Sequence, residues 1–230
     1  MTENVPCHIG IIMDGNRRWA RKNDLAAFTK GHERGAEKVK DVLRWCKARG
    51  IRVLTLYAFS SENWQRSKRE VNFLMNLFQT VLSKEIGNIH KEGIKFKVIG
   101  RRELLPQALQ KLIEEAELLT KDNQRGILNL AISYGGREEI IEAVRRIIKD
   151  GIPLGDITEK KFKSYLYTAG LPDPNLIIRT SGEQRTSGFL LWQSAYSEWY
   201  FCQKYWPDFL ESDLDEALEE YGRRQRRFGK

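Results

Sequence analysis

Three segments hold most of the side chains suited to gripping an anion. The first, Asp14-Gly15-Asn16-Arg17-Arg18-Trp19-Ala20, directly follows a short apolar run. Asp-Gly alone signals only a turn. A flexible glycine leading into a helix start flanked by arginines would do more. It would set free backbone N–H groups beside cationic side chains, a phosphate cradle with one carboxylate able to hold Mg²⁺. The second segment, Arg179-Thr180-Ser181-Gly182-Glu183-Gln184-Arg185-Thr186-Ser187-Gly188, offers two arginines and several hydroxyls, strong directional donors for a diphosphate. A solvated flexible loop is the competing reading of this stretch. The third, Tyr57-Ala58-Phe59-Ser60-Ser61-Glu62-Asn63-Trp64-Gln65-Arg66, mixes aromatic and polar side chains. It would suit a substrate with an oily tail and a charged head, or equally an aromatic cap on the core.

These loops gain meaning from the elements before them. Cys7 to Met13 is too short for a buried helix and rich in isoleucine, so it reads as a buried strand. Similar runs recur at Arg52 to Phe59, Lys95 to Ile99, Ile127 to Ser133 and Leu176 to Ile178, with helical patterns between them at Gly31 to Arg49, Arg69 to Ile89, Pro106 to Lys121 and Arg137 to Lys149. Gly50, Gly93, Gly126 and Gly151 each follow a helical stretch as stop signals. Strand alternating with helix predicts an α/β fold of parallel strands joined by crossovers. In such sheets ligands bind beyond the carboxyl ends of the strands, where the three segments fall. With 230 residues, no linker-like stretch and no internal repeat, one domain is expected over 1–230.

Charge and absences narrow the chemistry. Lys and Arg outnumber Asp and Glu by 39 to 31, a net +8, which favours an anionic partner: a phosphorylated small molecule, nucleic acid or an acidic membrane face. The chain closes on Arg223, Arg224, Arg226, Arg227 and Lys230 after a run of acids, an order that suits one helix with its dipole as well as a nucleic-acid-binding tail. Cys7, Cys46 and Cys202 have no zinc spacing and no CxxC pair, consistent with a reducing compartment. Neither a signal peptide nor a run of about 18 apolar residues is present, so a cytoplasmic location is expected, with room for peripheral membrane contact. P-loop, GxGxxG, HExxH and GxSxG motifs are all missing. Taken singly, His8 and His32 read as structural and His90 as a surface residue. Val71, Leu74, Met75, Phe78, Val81, Leu82, Ile86 and Ile89 form a broad apolar stripe, read first as core or dimer face and second as a tunnel lining.

Taken together, HIGIIMDGNRRWA (His8–Ala20), LTLYAFSSENWQR (Leu54–Arg66), YGGREEI (Tyr134–Ile140) and IIRTSGEQRTSGFLLWQSAYSEWYF (Ile177–Phe201) closely resemble the cis-prenyltransferase family, with the similarity running from about His8 to Phe228. The resemblance implies a mostly parallel six-stranded sheet flanked by helices and a homodimer. It implies Mg²⁺-dependent elongation of an allylic prenyl diphosphate with isopentenyl diphosphate. It assigns Asp14 to the metal, and Gly15, Asn16, Arg17 and Arg18, with Trp19 beside them, to the allylic diphosphate. Arg179, Arg185 and Ser187 match the isopentenyl diphosphate site, and Glu198 matches a second metal-assisting carboxylate supplied across a dimer. Phe59, Ser60, Asn63, Trp64, Arg66 and Glu70 match a segment that closes over substrate, and His32 a polar residue near the leaving diphosphate. Asn63, a serine or the diphosphate itself is the candidate proton acceptor. The apolar helices would hold the growing tail, and growth should stop where side chains close the channel.

Three positions depart from the family pattern. Phe28 stands where many members carry an arginine, with Lys30 as a candidate substitute; Ser67 replaces a proline, and Gly188 an asparagine. They keep open an irregular coupling of two short allylic diphosphates on the same scaffold. From other classes, a basic nucleic-acid-binding module and a catalytically silent scaffold subunit compete, although no RRM, KH or zinc-finger pattern is present and no nucleic acid partner is expected.

Overall fold

The structure is a computed structural model that describes residues 5–24 and 28–224. Six parallel strands, β1 (His8–Ile12), β2 (Val53–Ser60), β3 (Ile94–Ile99), β4 (Gly126–Tyr134), β5 (Leu176–Arg179) and β6 (Glu198–Phe201), form one sheet in the order β3-β4-β2-β1-β5-β6. The helices are α1 (Asn16–Lys22), α2 (Phe28–Ala48), α3 (Lys68–Lys91), α4 (Gln107–Thr120), α5 (Gly136–Lys149), α6 (Glu159–Lys163) and α7 (Glu211–Arg223). None of the described helices is long and apolar enough to cross a membrane.

Side-chain alternation divides the core. Ile9 and Ile11 of β1 share a face with Leu54, Leu56, Leu176 and Ile178, their register partners, under residues of α2, α3, α4 and α7. Ile12, Tyr57 and Ile177 point the other way and pack with Phe189 and Leu190. All five residues of β1 are buried, as a central strand of a two-faced sheet requires. The expected strands and long helices are all present within a few residues of their sequence limits. Pattern reading missed β6: Glu-Trp-Tyr-Phe is a half-buried edge strand without the aliphatic run that marks the others. α7 has the expected order, acids in the first turn and Arg223 in the last, while Arg226, Arg227 and Lys230 lie outside the described residues.

His8 is structural, as expected. Its Nδ1 lies 2.8 Å from the Pro172 carbonyl and its Nε2 2.7 Å from Thr55 Oγ1, which also accepts from Asn129 Nδ2. A donor is needed at Nδ1, and burial disfavours the doubly protonated ring, so the imidazole is neutral and Nε2 accepts from the Thr55 hydroxyl. Burial pushes its pKa down to about 4, against partial opposition from the Pro172 carbonyl. The unfolded imidazole titrates near ~6.5, so between these values the unfolded chain binds the extra proton. The contribution is therefore complete above about pH 6.5 and is lost as pH falls toward 4, about 3 kcal/mol in all. His32, also pushed down to about 4 chiefly by burial, acts over the same window. Melting temperature should fall across that range, and His8→Gln should shallow the slope; an unchanged slope would contradict this assignment.

Candidate active site

The carboxyl ends of β1, β2 and β5 bring the three segments together. Gly15, at φ 102°, starts α1 from the left-handed region, and an added Cβ would sit 2.7 Å from the Tyr205 ring. The first turn of α1 leaves the backbone N–H groups of Asn16, Arg17 and Arg18 without intrahelical acceptors. α1 then lies directly on α2: a Cβ at Gly31 would fall 2.0 Å from the Asn16 carbonyl oxygen. Gly31→Ala is expected to push α1 outward, costing about 1–3 kcal/mol and weakening any ligand held by Asn16 to Arg18. A melting curve and a diphosphate binding isotherm that both match wild type would refute the need for this close approach.

The first and second segments are laced together. Thr180 Oγ1 accepts from the Asp14 N–H at 2.9 Å and donates to the Asp14 carbonyl at 2.7 Å. Charges alternate along Arg179, Asp14, Arg18, Glu183 and Arg185. Arg179 Nη2 donates to Asp14 Oδ2 at 2.7 Å, Arg18 Nη2 to Asp14 Oδ1 at 3.1 Å, Arg18 Nη1 to Glu183 Oε1 at 2.8 Å and Arg185 Nη1 to Glu183 Oε2 at 2.6 Å. Arg18 also donates to Ser181 Oγ, and Arg179 Nη1 to Ser187 Oγ, each at 2.7 Å. Burial alone would raise the Asp14 pKa, but the hydrogen bonds and charges of Arg179 and Arg18 outweigh it and hold the carboxyl below its ordinary value. Asp14 is thus an ionised oxygen donor within reach of two guanidinium groups.

The third segment joins through Glu70, which is 4% exposed. Arg66 Nη1 donates to it at 2.9 Å, Arg17 approaches to 3.6 Å and His32 Nε2 to 3.4 Å. Burial, reinforced by the charge of Arg66, keeps His32 neutral near pH 7 despite Glu70.

Two hollows meet here. A polar pocket of about 320 Å³ is lined by Asp14, Asn16, Arg17, Arg18, Arg21 and Arg66 among others. An apolar cavity of about 430 Å³ runs between α2, α3 and the sheet, past Val39, Leu43, Leu74, Phe78, Val81 and Leu130. Met13, Asn16 and His32 line both. The α3 stripe therefore serves two roles, with Leu74 and Leu82 buried in the core while also facing the cavity. Five buried side-chain polar atoms lack a hydrogen-bond partner among the described residues, and three belong to this site: Asn16 Oδ1, His32 Nε2 and Arg179 Nε. Buried polar atoms are normally paired, so such a concentration marks where a ligand's polar atoms would go.

Several expected residues sit elsewhere. Trp19 does not line the pocket; its indole donates to Asp208 at 2.6 Å and anchors α1 to the Trp206–Asp208 turn. Glu198 begins β6 opposite Leu176, three residues back from Arg179 at the amino end of β5, and accepts from Arg224 at 2.7 Å. Within one chain it is not brought to Asp14. Phe59 is 1% exposed and packs edge-on against Trp64, whose indole donates to Ser133 Oγ at 2.9 Å. Asn63 Oδ1 accepts the Ser60 N–H at 3.1 Å. Lys30 is engaged by Glu33 at 2.9 Å, and Phe28 packs edge-on against His32 and Phe73. Gly188, at φ 76°, adopts a conformation that asparagine also tolerates, and Ser67, at φ −55°, one that proline would share while its hydroxyl caps α3 at Glu70. Sequence reading passed over Arg21, although it recurs four residues after Arg17 on one helix face, and Glu183, quoted in its loop without a role.

Among the described residues no group of three His, Cys, Asp or Glu side chains could hold a metal ion. Asp14 offers a single hard carboxylate at the cradle.

Known proteins point to one family. The family model described as putative undecaprenyl diphosphate synthase matches residues 12–229. An isoprenyl transferase of Thermotoga maritima is 49% identical over 228 residues, covering 98% of this chain and 97% of that one. A tritrans,polycis-undecaprenyl-diphosphate synthase (geranylgeranyl-diphosphate specific) of Thermoplasma acidophilum is 49% identical over 233 residues, covering 98% and 89%. The crystal structure of lavandulyl diphosphate synthase from Lavandula x intermedia, in complex with dimethylallyl diphosphate, superposes with a TM-score of 0.95 at 39% identity, covering 99% of this chain and all of that one. The laced arginines, the glycine-started cradle and the adjoining apolar cavity are thus features of an enzyme: the chain belongs to the undecaprenyl diphosphate synthase family of cis-prenyltransferases.

Proposed function

We propose that the chain condenses isopentenyl diphosphate with an allylic prenyl diphosphate, each new double bond being cis, with Mg²⁺ as cofactor. The continuity of a cationic pocket with an apolar cavity through Met13, Asn16 and His32 carries this reading. A prenyl diphosphate has the same two parts. Arg17, Arg18, Arg21 and Arg66 would grip the diphosphate, and the cavity would take the tail, at about 0.8 kcal/mol per buried CH₂. Arg179, Arg185 and Ser187 would hold isopentenyl diphosphate, with the unpartnered Arg179 Nε as a ready donor.

In the reaction the allylic C1–O bond breaks and the diphosphate leaves with the electron pair. The isopentenyl double bond then bonds to C1, and C2 of that unit gives up a proton to a base such as the released diphosphate, forming the new alkene. Negative charge develops on the leaving oxygen, facing guanidinium groups already oriented by Glu70, Asp14 and Glu183. Neutral His32 can hydrogen-bond there without adding charge. Asp14 fits the metal: one ionised carboxylate beside a diphosphate pocket is the way Mg²⁺ is usually held, substrate oxygens and water completing the shell. When bound, the ion supplies Lewis-acid stabilisation of the departing diphosphate. Labelled isopentenyl diphosphate offered with C5, C10, C15 and C20 primers, with and without chelator, tests the reading. Chelator-sensitive products growing in C5 steps are expected, and none with any primer would refute it.

Irregular coupling is the second reading, favoured by the TM-score of 0.95 to lavandulyl diphosphate synthase and by Phe28. Dimethylallyl diphosphate offered alone would give a branched C10 product in that case only.

A homodimer accompanies the main reading. Ile141, Val144 and Ile148, one row along α5, are 53, 41 and 72% exposed. Glu198 could reach a metal only through a second copy. Light scattering should find a dimer, and Val144→Glu should shift it toward monomer; a wild-type monomer would contradict the assembly.

A further inference from the structure

The loop after β5 leaves the sheet at Arg179 and passes through a run of backbone that is hard to hold. Ser187 and Leu190 lie at φ 49° and 47°, in the left-handed region that L side chains rarely adopt, with Gly188 between them at φ 76°. Such residues persist only where the surroundings fix them. Arg179 Nη1 holds the Ser187 hydroxyl at 2.7 Å, and the N–H of Gly136, the first residue of α5, donates to the Gly188 carbonyl at 2.9 Å. The Ser187 carbonyl faces the Tyr57 hydroxyl at 3.3 Å, across 130 positions of sequence. That hydroxyl shares its one proton with a second acceptor, the Tyr134 carbonyl at 3.1 Å. The Tyr57 ring stacks on Phe189, with centroids 4.7 Å apart and planes 17° from parallel. Phe189 in turn lies against Gly10 of β1, where an added Cβ would come within 2.9 Å of the ring. Tyr134 meets both rings edge-on and is anchored by its own hydroxyl, which donates at 2.6 Å to the buried Glu139. Tyr57 lines neither the polar pocket nor the apolar cavity, so any effect it has on a ligand there passes through the loop.

We propose that Tyr57 is a positioning residue for isopentenyl diphosphate: its hydroxyl and ring fix Ser187 and Phe189, so that the Ser187 hydroxyl and Arg179 meet the diphosphate already oriented. The inference rests on the prenyl-transfer reading above and adds to it a residue that touches no substrate. Donors held in place lose less freedom when the ligand arrives, and the benefit appears as affinity. It should fall on one substrate. The primer pocket is lined from α1 and by Arg66, and the links from Arg18 to the loop run through Ser181 and Glu183, ahead of the part that Tyr57 holds.

The test is steady-state kinetics with each substrate varied separately, read well below the melting temperature of each variant. Tyr57→Phe removes the hydroxyl and keeps the ring with its stack. It should raise the KM for isopentenyl diphosphate about 3–10-fold, the worth of one neutral hydrogen bond, while kcat and the primer KM stay near wild type. Phe189→Leu keeps the hydroxyl and loses the stack; it should raise the same constant and serves if Tyr57→Phe unfolds. In a Ser187→Ala background Tyr57→Phe should add little, because the side chain it positions is gone. An equal rise in both KM values, a loss confined to kcat, or a lower melting temperature with wild-type kinetics would make Tyr57 purely structural and overturn the proposal. Additive effects of the two substitutions would overturn the route through Ser187. No incorporation by wild type overturns the prenyl-transfer reading and this inference with it.

Discussion

Asp14→Ala is expected to cut turnover by about 10²–10³-fold or more, as removal of one preorganised electrostatic group at a developing charge does in other enzymes. The structure gives the carboxylate two duties, and the substitution ends both. Its oxygens separately hold Arg179 and Arg18, which belong to the two proposed diphosphate sites. It is also the oxygen donor proposed for Mg²⁺. Without it, Arg179, at 4% exposure, keeps only neutral acceptors on Ser187 and the Arg185 carbonyl. Breaking a buried pair from one side costs about 3–5 kcal/mol; Asp14 is half-buried, so the lower end applies. Asp14→Asn separates the two duties, because the amide oxygen can still accept from one guanidinium but carries no charge. Its melting temperature should recover toward wild type while its turnover stays low. The measurements are initial rates of isopentenyl incorporation and thermal melts of both variants. Full turnover in Asp14→Asn would remove the carboxylate from the chemistry.

Arg179→Ala is expected to raise the KM for isopentenyl diphosphate about 10–100-fold, the equivalent of one charge-assisted hydrogen bond. The KM for the allylic primer should change far less. The asymmetry follows from placement. Arg179 ends β5, donates toward Ser187 and keeps Nε free, whereas the primer pocket is lined from α1 and by Arg66. Arg179→Lys should not rescue, because an ammonium has three N–H donors on one atom, and Arg179 already serves Asp14, Ser187 and the Arg185 carbonyl before it meets a ligand. Steady-state kinetics with each substrate varied separately decides it. A rise confined to the primer KM would reverse the assignment of the two sites.

The local record in the chain was rich. Buried aliphatic runs marked five strands because a central parallel strand has no polar face to show. Asp14, Arg18, Arg179 and Arg185 stood out because each follows such a run within a few residues, and parallel topology sends the carboxyl ends of the strands to one edge of the sheet. Even the departures at Ser67 and Gly188 proved compatible with the backbone angles found there. Edge strand β6 escaped because half-buried aromatics carry no period-2 signal. The family resemblance sets Trp19 with the substrate-binding residues, whereas helical geometry turns consecutive side chains about 100° apart and its indole donates to Asp208.

Residue types and spacing by themselves determined the α/β class, the three loops that follow β1, β2 and β5, and the family, since these depend on short-range pattern and on identities at fixed intervals. Tertiary structure alone decided which groups act together. Arg18 and Glu183 are 165 positions apart, as are Asp14 and Arg179, and only the order of strands around β1 sets them in contact. The cavity, too, is a volume between α2, α3 and the sheet, and its lining runs from Met13 to Trp206, residues whose sequence spacing carries no sign of a shared wall. Pairing across a fold is set by packing in three dimensions, and hydrophobic periodicity records only which side of an element faces inward.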